Sequence, residues 1–553
     1  MLITIGRDCL KRNNFINGAF IATLGIVVCK ILGLVYVIPL YKIIGSQGGA
    51  LYSYAYSIYA VFLNLSTAGI PTAISKIVSE YNALHQEKLQ KRAFDIASKL
   101  LNIVGILSFI ILFIFSDYFA HLIIGGTEGG NSVADVSIAI KIVSLALLVV
   151  PKLSILRGYF QGNKFITYSS VSTVIEQLVR VLLIIVGSYV SVKVFHLPIN
   201  IAVYISILAA TIGALASYLY LKFKIKRNKQ EFEIQEINNE HVIDNKKLLK
   251  KILLYALPFV LISLLRSAYS VVDTFTVVKT LTSLGYTTDV AETTIGVFNT
   301  WGSKLNMIVV SISLGLITSL IPEITGSYAK KEFKNINYKI NQSIKVLLFT
   351  TIPMAIGISL LASPIWTIFY GYDVVSVNIF SIYILQVIIY SLYITLINAV
   401  QAMNETKISL GVLCISFLLK VALNIPIMRF LYYINIDAYY GPAVTNAIVE
   451  FLSVMIILIV LKKKYNFKYK ELFTPLLKII VCLTVMLSVL WGLKYIYYSF
   501  NGIVQSVITI ILFTIVGGLI YMLLSFRLKL INDIFGSNFF DKIRQKFSRK
   551  NKN

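Results

Sequence analysis

Apolar runs of about twenty residues recur along the whole 553-residue chain, and each is long enough to cross roughly 30 Å of hydrocarbon as an α-helix. That repetition leaves few folds open. Inside a bilayer every backbone N–H and C=O must find its partner within the protein, and a single apolar segment achieves this as a helix. The spacing predicts fourteen spans, near 15–40, 52–76, 100–121, 135–157, 166–190, 199–222, 252–279, 297–322, 342–368, 375–399, 407–429, 440–461, 475–496 and 502–525. Charged residues make up 14% of the chain, against about 25% in soluble domains, so a soluble core is excluded. The expected fold class is an all-α polytopic membrane protein.

Charge in the loops orients the spans. Cytoplasmic loops carry an excess of Lys and Arg. Alternate gaps read KLQKR, RGYFQGNK, the long 223–247 stretch, SYAKKEFKN, NETK and KKKYNFKYKE. The intervening gaps read SQGG, GGTEGGNSVAD, SVKVFHLPIN, TSLGYTTDVAET, YGYDVVSV and YYINIDAYYG, almost free of base. The alternation places both termini in the cytoplasm. A net charge of +26 raises the question of nucleic acid, but the bases sit in short loops and in the tail RQKFSRKNKN. Attraction to anionic headgroups accounts for that placement, so membrane lipids are expected partners and nucleic acid is not.

Other signatures are missing from the sequence. Cys9, Cys29, Cys414 and Cys482 are scattered, as are His85, His121, His196 and His241, with no metal-ligand spacing. No GxxxxGK[ST] loop, HExxH or Ser/His/Asp order occurs, so neither ATP hydrolysis nor catalysis is expected. The basic N-terminus runs into a long apolar segment without a small-residue cleavage site, and reads as a retained span. No cofactor is expected. Energy would come from the membrane potential, a monovalent-cation gradient or the substrate gradient.

The chain repeats itself at a separation of about 240–250 residues. Ile70-Pro71 closes the second expected span and Ile321-Pro322 the eighth. YFQGNK at 159–164 matches VQAMNETK at 400–407, and a span with one base follows each, Arg180 or Lys420. Each repeat holds six spans, an even number, so both enter from the same side and are related by an axis along the membrane normal. The expected organisation is a six-helix bundle over 1–222, a charged linker over 223–250, a second six-helix bundle over 251–461, two further helices over 475–525 and a basic tail over 526–553. Two repeats in one chain build a cavity without a second copy, so a monomer is expected.

Ionisable residues within spans are costly and face a cavity or a partner. Lys30 lies midway along the first span, Arg266 and Asp273 on the seventh, and Lys304 on the eighth. Lys30, Arg266 and Lys304 suit an anionic substrate such as a pyrophosphate, whose oxygens accept charge-assisted hydrogen bonds. Asp273 is either an ion-coupling carboxylate or the partner of Arg266, from which it is displaced by two turns on one helical face. Glu176 and Arg180 stand i,i+4 in the favoured acid-first order and can pair with each other. Lys420 remains open between structure and function.

The stretches CKILGLVYVIPLYKIIGSQGGALYSYAYSIY, NLSTAGIPTAISKIVSEYNA, LRGYFQGNKFITYSSVSTVIEQLVRV and ISLGLITSLIPEITGSYA resemble the polysaccharide-biosynthesis branch of the multidrug/oligosaccharidyl-lipid/polysaccharide exporter superfamily. More narrowly they resemble MurJ-like lipid II flippases of Gram-positive bacteria and the related stage V sporulation protein B. The resemblance covers all fourteen expected spans. It implies an alternating-access flippase of the bacterial cytoplasmic membrane for an undecaprenyl-pyrophosphate-linked peptidoglycan precursor. It further implies a cationic cavity lined by the first, second, seventh and eighth spans, and a lipid-tail groove at the last two. The family's first-span pattern, serine-arginine-x-leucine-glycine-leucine-x-arginine, here reads Cys29 to Tyr36. Lys30 keeps the first base and Tyr36 replaces the second, while the eighth-span base falls on Lys304 and Arg266 is a candidate to compensate. Alternatives are a flippase for another undecaprenyl-linked glycan, a cation-coupled drug exporter, or a scaffold for cell-wall enzymes, which are in any case conceivable partners.

Overall fold

The computed structural model describes residue 25 and residues 28–227 and 244–535, except 68, 85, 126 and 128. The start of the first expected span, the middle of the 223–250 linker and most of the 526–553 tail lie outside the described residues. The chain divides into two compact units, Met1–Gly296 and Val297–Asn553. All regular elements among the described residues are helical.

In the first unit the helices are α1 (Val28–Val35), α2 (Val37–Thr67), α3 (Ile70–Ala83), α4 (Glu87–Ile114), α5 (Ser116–Ile124), α6 (Val133–Ser144), α7 (Val150–Gly162), α8 (Ile166–Tyr189), α9 (Ile199–Arg227), α10 (Asn245–Ser283) and α11 (Thr288–Gly296). The second unit has α12 (Gly302–Ala329), α13 (Phe333–Leu360), α14 (Ala362–Tyr370), α15 (Val374–Ala402), α16 (Thr406–Tyr433), α17 (Gly441–Tyr465), α18 (Phe473–Ile496), α19 (Ile503–Arg527) and α20 (Leu530–Phe535).

Among the described residues twelve helical stretches are long and apolar enough to cross a membrane, and the bent pair α1–α2, meeting at 45°, brings the number to thirteen at most. Fourteen separate spans were expected from the sequence. The stretch 46–49, expected as a loop, is helical, and the interruption falls on Gly45 instead, at φ 65° and ψ −165°. Glycine alone enters that region without steric strain, so two helices meet there without a connecting loop.

Two prolines behave differently from expectation. Pro71 does not close a span: α2 ends at Thr67, Gly69 turns at φ +77°, and Pro71 occupies the second position of α3, where its missing N–H is one of the helix's orphans. An alanine at Gly69 would place its Cβ 2.6 Å from the Ala256 carbonyl oxygen, so this turn packs directly against α10. Pro322 lies inside α12, which continues to Ala329.

Packing follows the logic of a lipid solvent. On α19 the buried side chains are Ser506, Thr509, Phe513, Gly517, Tyr521 and Ser525, while Ile508, Ile511, Ile515, Leu519 and Met522 are exposed. The three- and four-residue steps put small and polar groups on one stripe against α18, with aliphatic groups turned outward. A Cβ at Gly517 would lie 3.0 Å from Leu490, and Tyr521 donates to the Phe349 carbonyl at 3.0 Å.

Candidate functional site: charged clusters and an apolar groove

In the first unit α1 lies along α8. Cys29 Sγ reaches the Thr173 carbonyl at 3.7 Å, and a Cβ at Gly33 would lie 3.7 Å from Gln177 Nε2. Residues four apart on each helix thus face each other, and the next rung brings Tyr36, at the α1–α2 break, under the electrostatic influence of Arg180. Lys30, one residue past this contact stripe, is exposed. Arg180 reaches across to α2: one guanidinium nitrogen donates to Tyr52 OH at 2.9 Å and to Tyr56 OH at 3.0 Å. Its carbon stands 5.3 Å from the Tyr56 ring centroid, within cation–π range. The position at which the resemblance lacks a base therefore has one nearby, delivered by α8 rather than by the first span.

Glu176 does not pair with Arg180. Its carboxylate takes Arg157 of α7 at 2.7 Å, and Arg157 also donates to Ser172 Oγ at 2.8 Å and Ser217 Oγ at 3.0 Å. A neighbouring helix offers a straighter approach, and the two hydroxyls take two more of the five guanidinium hydrogens. Gly213 makes room for this: a Cβ there would lie 2.7 Å from the Glu176 carbonyl oxygen. Arg157 was hidden in sequence because RGYFQGNK counted as a basic loop; it belongs to α7, whose last turn carries the loop's first half.

Arg266 and Asp273 share α10, but their surroundings differ. Arg266 is exposed and Asp273 is 5% exposed. Between them Ser267 accepts a hydrogen bond from Asn64 Nδ2 at 2.6 Å, which ties α10 to α2. Nearer its start, α10 is fastened to α3 by Lys251 and Glu80 at 2.8 Å, with Lys251 also over the Tyr81 ring.

At the other end of α10 a cluster escaped the sequence reading altogether. Glu292 on α11, which sequence placed in an open loop, is fully buried. Its Oε1 accepts from the backbone N–H and the side-chain amide of Asn131, each at 2.9 Å. Asn131 also donates to the Gln47 carbonyl at 3.0 Å, and Gln47 Nε2 reaches Asp289 at 3.4 Å.

In the second unit Lys304 stands in the first turn of α12, half-buried, just after a widened π-turn over Val297–Trp301. Lys420 is fully buried on α16 and donates to Asn446 Oδ1 of α17 at 2.6 Å. One turn on, buried Glu450 accepts from Gln386 Nε2 of α15 at 2.6 Å and lies within electrostatic reach of Lys420. Ser416 and Ser453 close the same helix pair at 2.7 Å. Glu450 and Gln386 were legible only as polar interruptions of strong apolar runs. Among the described residues no cluster of three or more metal-ligating side chains occurs.

The second unit also holds an apolar cavity of about 410 Å³ between α13, α14, α18 and α19, lined by residues including Phe349, Met354, Met486, Phe513, Gly517 and Met522. Glycine at 517 and 518 on α19 and at 357 on α13 keeps its walls smooth.

An all-helical fold with twelve or thirteen stretches long and apolar enough to cross a membrane defines a polytopic membrane protein, and comparison narrows it. The family described as polysaccharide biosynthesis protein matches residues 15–327, and that described as lipid II flippase MurJ matches residues 183–513. Lipid II flippase MurJ of Bacillus subtilis (strain 168) is 31% identical over 535 residues, 95% of this chain and 97% of that one. Stage V sporulation protein B of the same organism is 24% identical, covering 66% of this chain and 68% of its own length. In fold, a solved lipid II flippase MurJ in an inward closed conformation gives a TM-score of 0.63 at 17% identity, over 92% of this chain and 98% of that one. An inward-facing multidrug resistance MATE transporter gives 0.62 at 11% identity, over 80% and 98%. The chain belongs to the MurJ lipid II flippase family.

Proposed function

We propose that this protein flips lipid II, the undecaprenyl-pyrophosphate-linked peptidoglycan precursor, from the inner to the outer leaflet of the bacterial cytoplasmic membrane. It is a transporter, not an enzyme. The observation that carries this reading is the end-to-end match to a lipid II flippase at 31% identity over 95% of the chain. Chemistry agrees with it. A doubly anionic pyrophosphate needs cationic donors within the bundle, and Lys30, Arg266 and Lys304 are the ones offered, with Arg180 beside Tyr36 as a fourth. A polyprenyl tail needs an apolar groove, and the cavity at α18 and α19 supplies one of suitable lining.

The finer organisation belongs to the same proposal. If Gly45 divides the α1–α2 run into two crossings, the spans number fourteen and both termini lie in the cytoplasm, as the loop charges require. Six spans over 1–222 and six over 251–461 then form two parallel repeats, with 475–525 added and the linker and tail inside. Alternating access needs no ATP site; membrane potential or a monovalent cation is the energy source consistent with the superfamily, with Asp273 a candidate coupling group. A monomer suffices, and cell-wall synthesis enzymes are candidate partners.

The test is depletion in the native cell, with an assay of which membrane face lipid II occupies. Lipid II should accumulate on the cytoplasmic face, and wild type but not Lys30→Ala should relieve it. Normal exposure of lipid II in a strain lacking redundant flippases would sink this reading and point to another undecaprenyl-linked glycan, the substrate class that the polysaccharide-biosynthesis match also admits.

A further inference from the structure

The mechanism above makes no use of Glu292, yet it is the most completely enclosed acid of the first unit. It is fully buried, and only one of its two carboxyl oxygens is served: Asn131 donates twice to Oε1, while Oε2 has no hydrogen-bond partner among the described residues. The phenol of Tyr54, fully buried on α2, lies within electrostatic reach of that carboxyl and likewise lacks a partner. Gly130, at φ +75°, covers Oε2 so closely that a Cβ would come within 2.7 Å of it. No base is in a position to neutralise the group. On its own helix the nearest charge is Asp289, of the same sign, which lies one turn away and is held by Gln47. On α10, Lys279 is turned to the His121 carbonyl at 3.2 Å, and Asp273 is a further acid. On α2, Lys42 is exposed; among the described residues of the loop before α6, Gly130 and Asn131 are the ones that reach the carboxyl.

A bare carboxylate without a counter-charge is among the costliest groups to bury, and such a group normally takes up a proton instead. A proton on Oε2 removes that charge without costing a contact, since Oε1 keeps both hydrogen bonds from Asn131 and Oε2 makes none to lose. We propose that Glu292 is a proton-binding latch, closed by a proton on Oε2 and opened by its loss. The latch joins three segments of the first unit, α2, the loop at 129–132 and α11, all at the end that loop charge assigns to the outer face. A polar cavity of about 700 Å³, with Lys279, Thr282, Tyr286 and Thr288 in its wall, lies one helical turn from Glu292 and provides the route to water. When the segments separate, the O–H bond breaks heterolytically, the proton passes to water on that side and the carboxylate becomes solvated. Outward opening is thereby linked to outer pH. What the latch gates rests on the flippase reading; that it holds a proton does not.

Infrared spectroscopy of the full-length protein in lipid tests this directly. A protonated-carboxyl C=O band should be present at neutral pH, disappear at alkaline pH, and be missing from Glu292→Gln, which keeps the shape and should elute as a folded monodisperse species. Tyr54→Phe should keep the band, since the phenol stands near the carboxyl without bonding to it. In a lipid II translocation assay Glu292→Gln, held permanently in the neutral form, should lose at least tenfold in rate and all sensitivity to outer pH. A wild-type spectrum without the band, or one that Glu292→Gln leaves unchanged, would overturn the proposal. A band that emerges only when sodium is withdrawn would also overturn it, in favour of a bound metal cation. The expected band in a wild-type protein that moves no lipid II would uphold the proton site and reject only the substrate reading.

Discussion

The α8 cluster of the first unit and the α16 cluster of the second, each built around a lone base that the sequence places in a span, handle charge in opposite ways. On α8, Glu176 pairs with Arg157 of α7, their side chains remaining 24% and 20% exposed, and Arg180 rests on phenols. On α16, Lys420 is sealed at 0% exposure with Glu450 of α17 at 4%, and the two are satisfied by the amides of Asn446 and Gln386. A partly wet cation on soft aromatic partners can exchange them for a phosphate at little cost. A fully buried one locked by amides cannot leave without stranding its neighbours. α8 thus carries its charge where it can be used, and α16 carries its own in a fixed core.

Breaking the α16 cluster should therefore have the largest effect on stability. Lys420→Met leaves Glu450 without its nearby cation and Asn446 without its donor, at a cost of about 3–5 kcal/mol. Thermal unfolding in detergent should show a large drop, partly restored in Lys420→Met/Glu450→Gln. An unchanged melting temperature would mean that α16 is not the fixed half.

On α8 the effects should be smaller and should divide between stability and transport. Arg157→Ala removes a partly screened ion pair and two hydroxyl contacts, for about 1–2 kcal/mol. Arg180→Lys keeps the charge but loses the planar fork and much of the stacking on Tyr56, costing about 1 kcal/mol or less in stability. Under the proposed function its lipid II translocation should fall severalfold more than that of Tyr56→Phe, because the forked, bidentate hold on a phosphate is lost too. Equal losses would make Arg180 merely a strut for the tyrosines. Gly45→Ala tests the break that distinguishes the first unit. A Cβ there meets nothing within 4 Å, so the penalty is backbone strain alone, about 1–2 kcal/mol.

How far the sequence discloses these differences depends on range. Apolar runs located the helices, since composition over twenty residues is a local property. Breaks were harder: Gly45 and Pro71 act through one dihedral or one missing N–H, and nothing in hydropathy marks whether a proline closes a helix or opens the next. Lys420 was visible as a lone base in an apolar span. Its amide partner Asn446 sits 26 residues from it, and Gln386, which serves Glu450, lies on another helix; both are ordinary span residues until the fold brings them together. Glu176 shows the limit most clearly, because a favourable i,i+4 partner on its own helix lost to Arg157 on the next. Glu292 was lost because a polar, threonine-rich stretch reads as a loop, whereas α11 buries it against α2.

The starts of the two helices carry the contrast to its smallest scale. Before α8, Gln90 Nε2 donates to Asn163 Oδ1 at 2.7 Å, a buried pair with no titrating group. Before α16, Glu405 receives hydrogen bonds from Lys464 Nζ and Tyr465 OH. Burial, the strongest influence on the Glu405 carboxyl, pushes it up, but these hydrogen bonds and the lysine charge outweigh it and hold the group below the usual range. A carboxyl depressed by folding adds stability that is complete above its unfolded value, near 4.3, and is lost as pH falls through its lower folded value. Wild type should therefore lose a small increment, about 1 kcal/mol or less, as pH drops below about 4. Glu405→Gln should lose none of it, and Gln90→Ala, though destabilised, should keep the wild-type pH profile. If Glu405→Gln follows the wild-type profile, the acid sensitivity belongs elsewhere, and the two helix starts do not differ in the way their partners indicate.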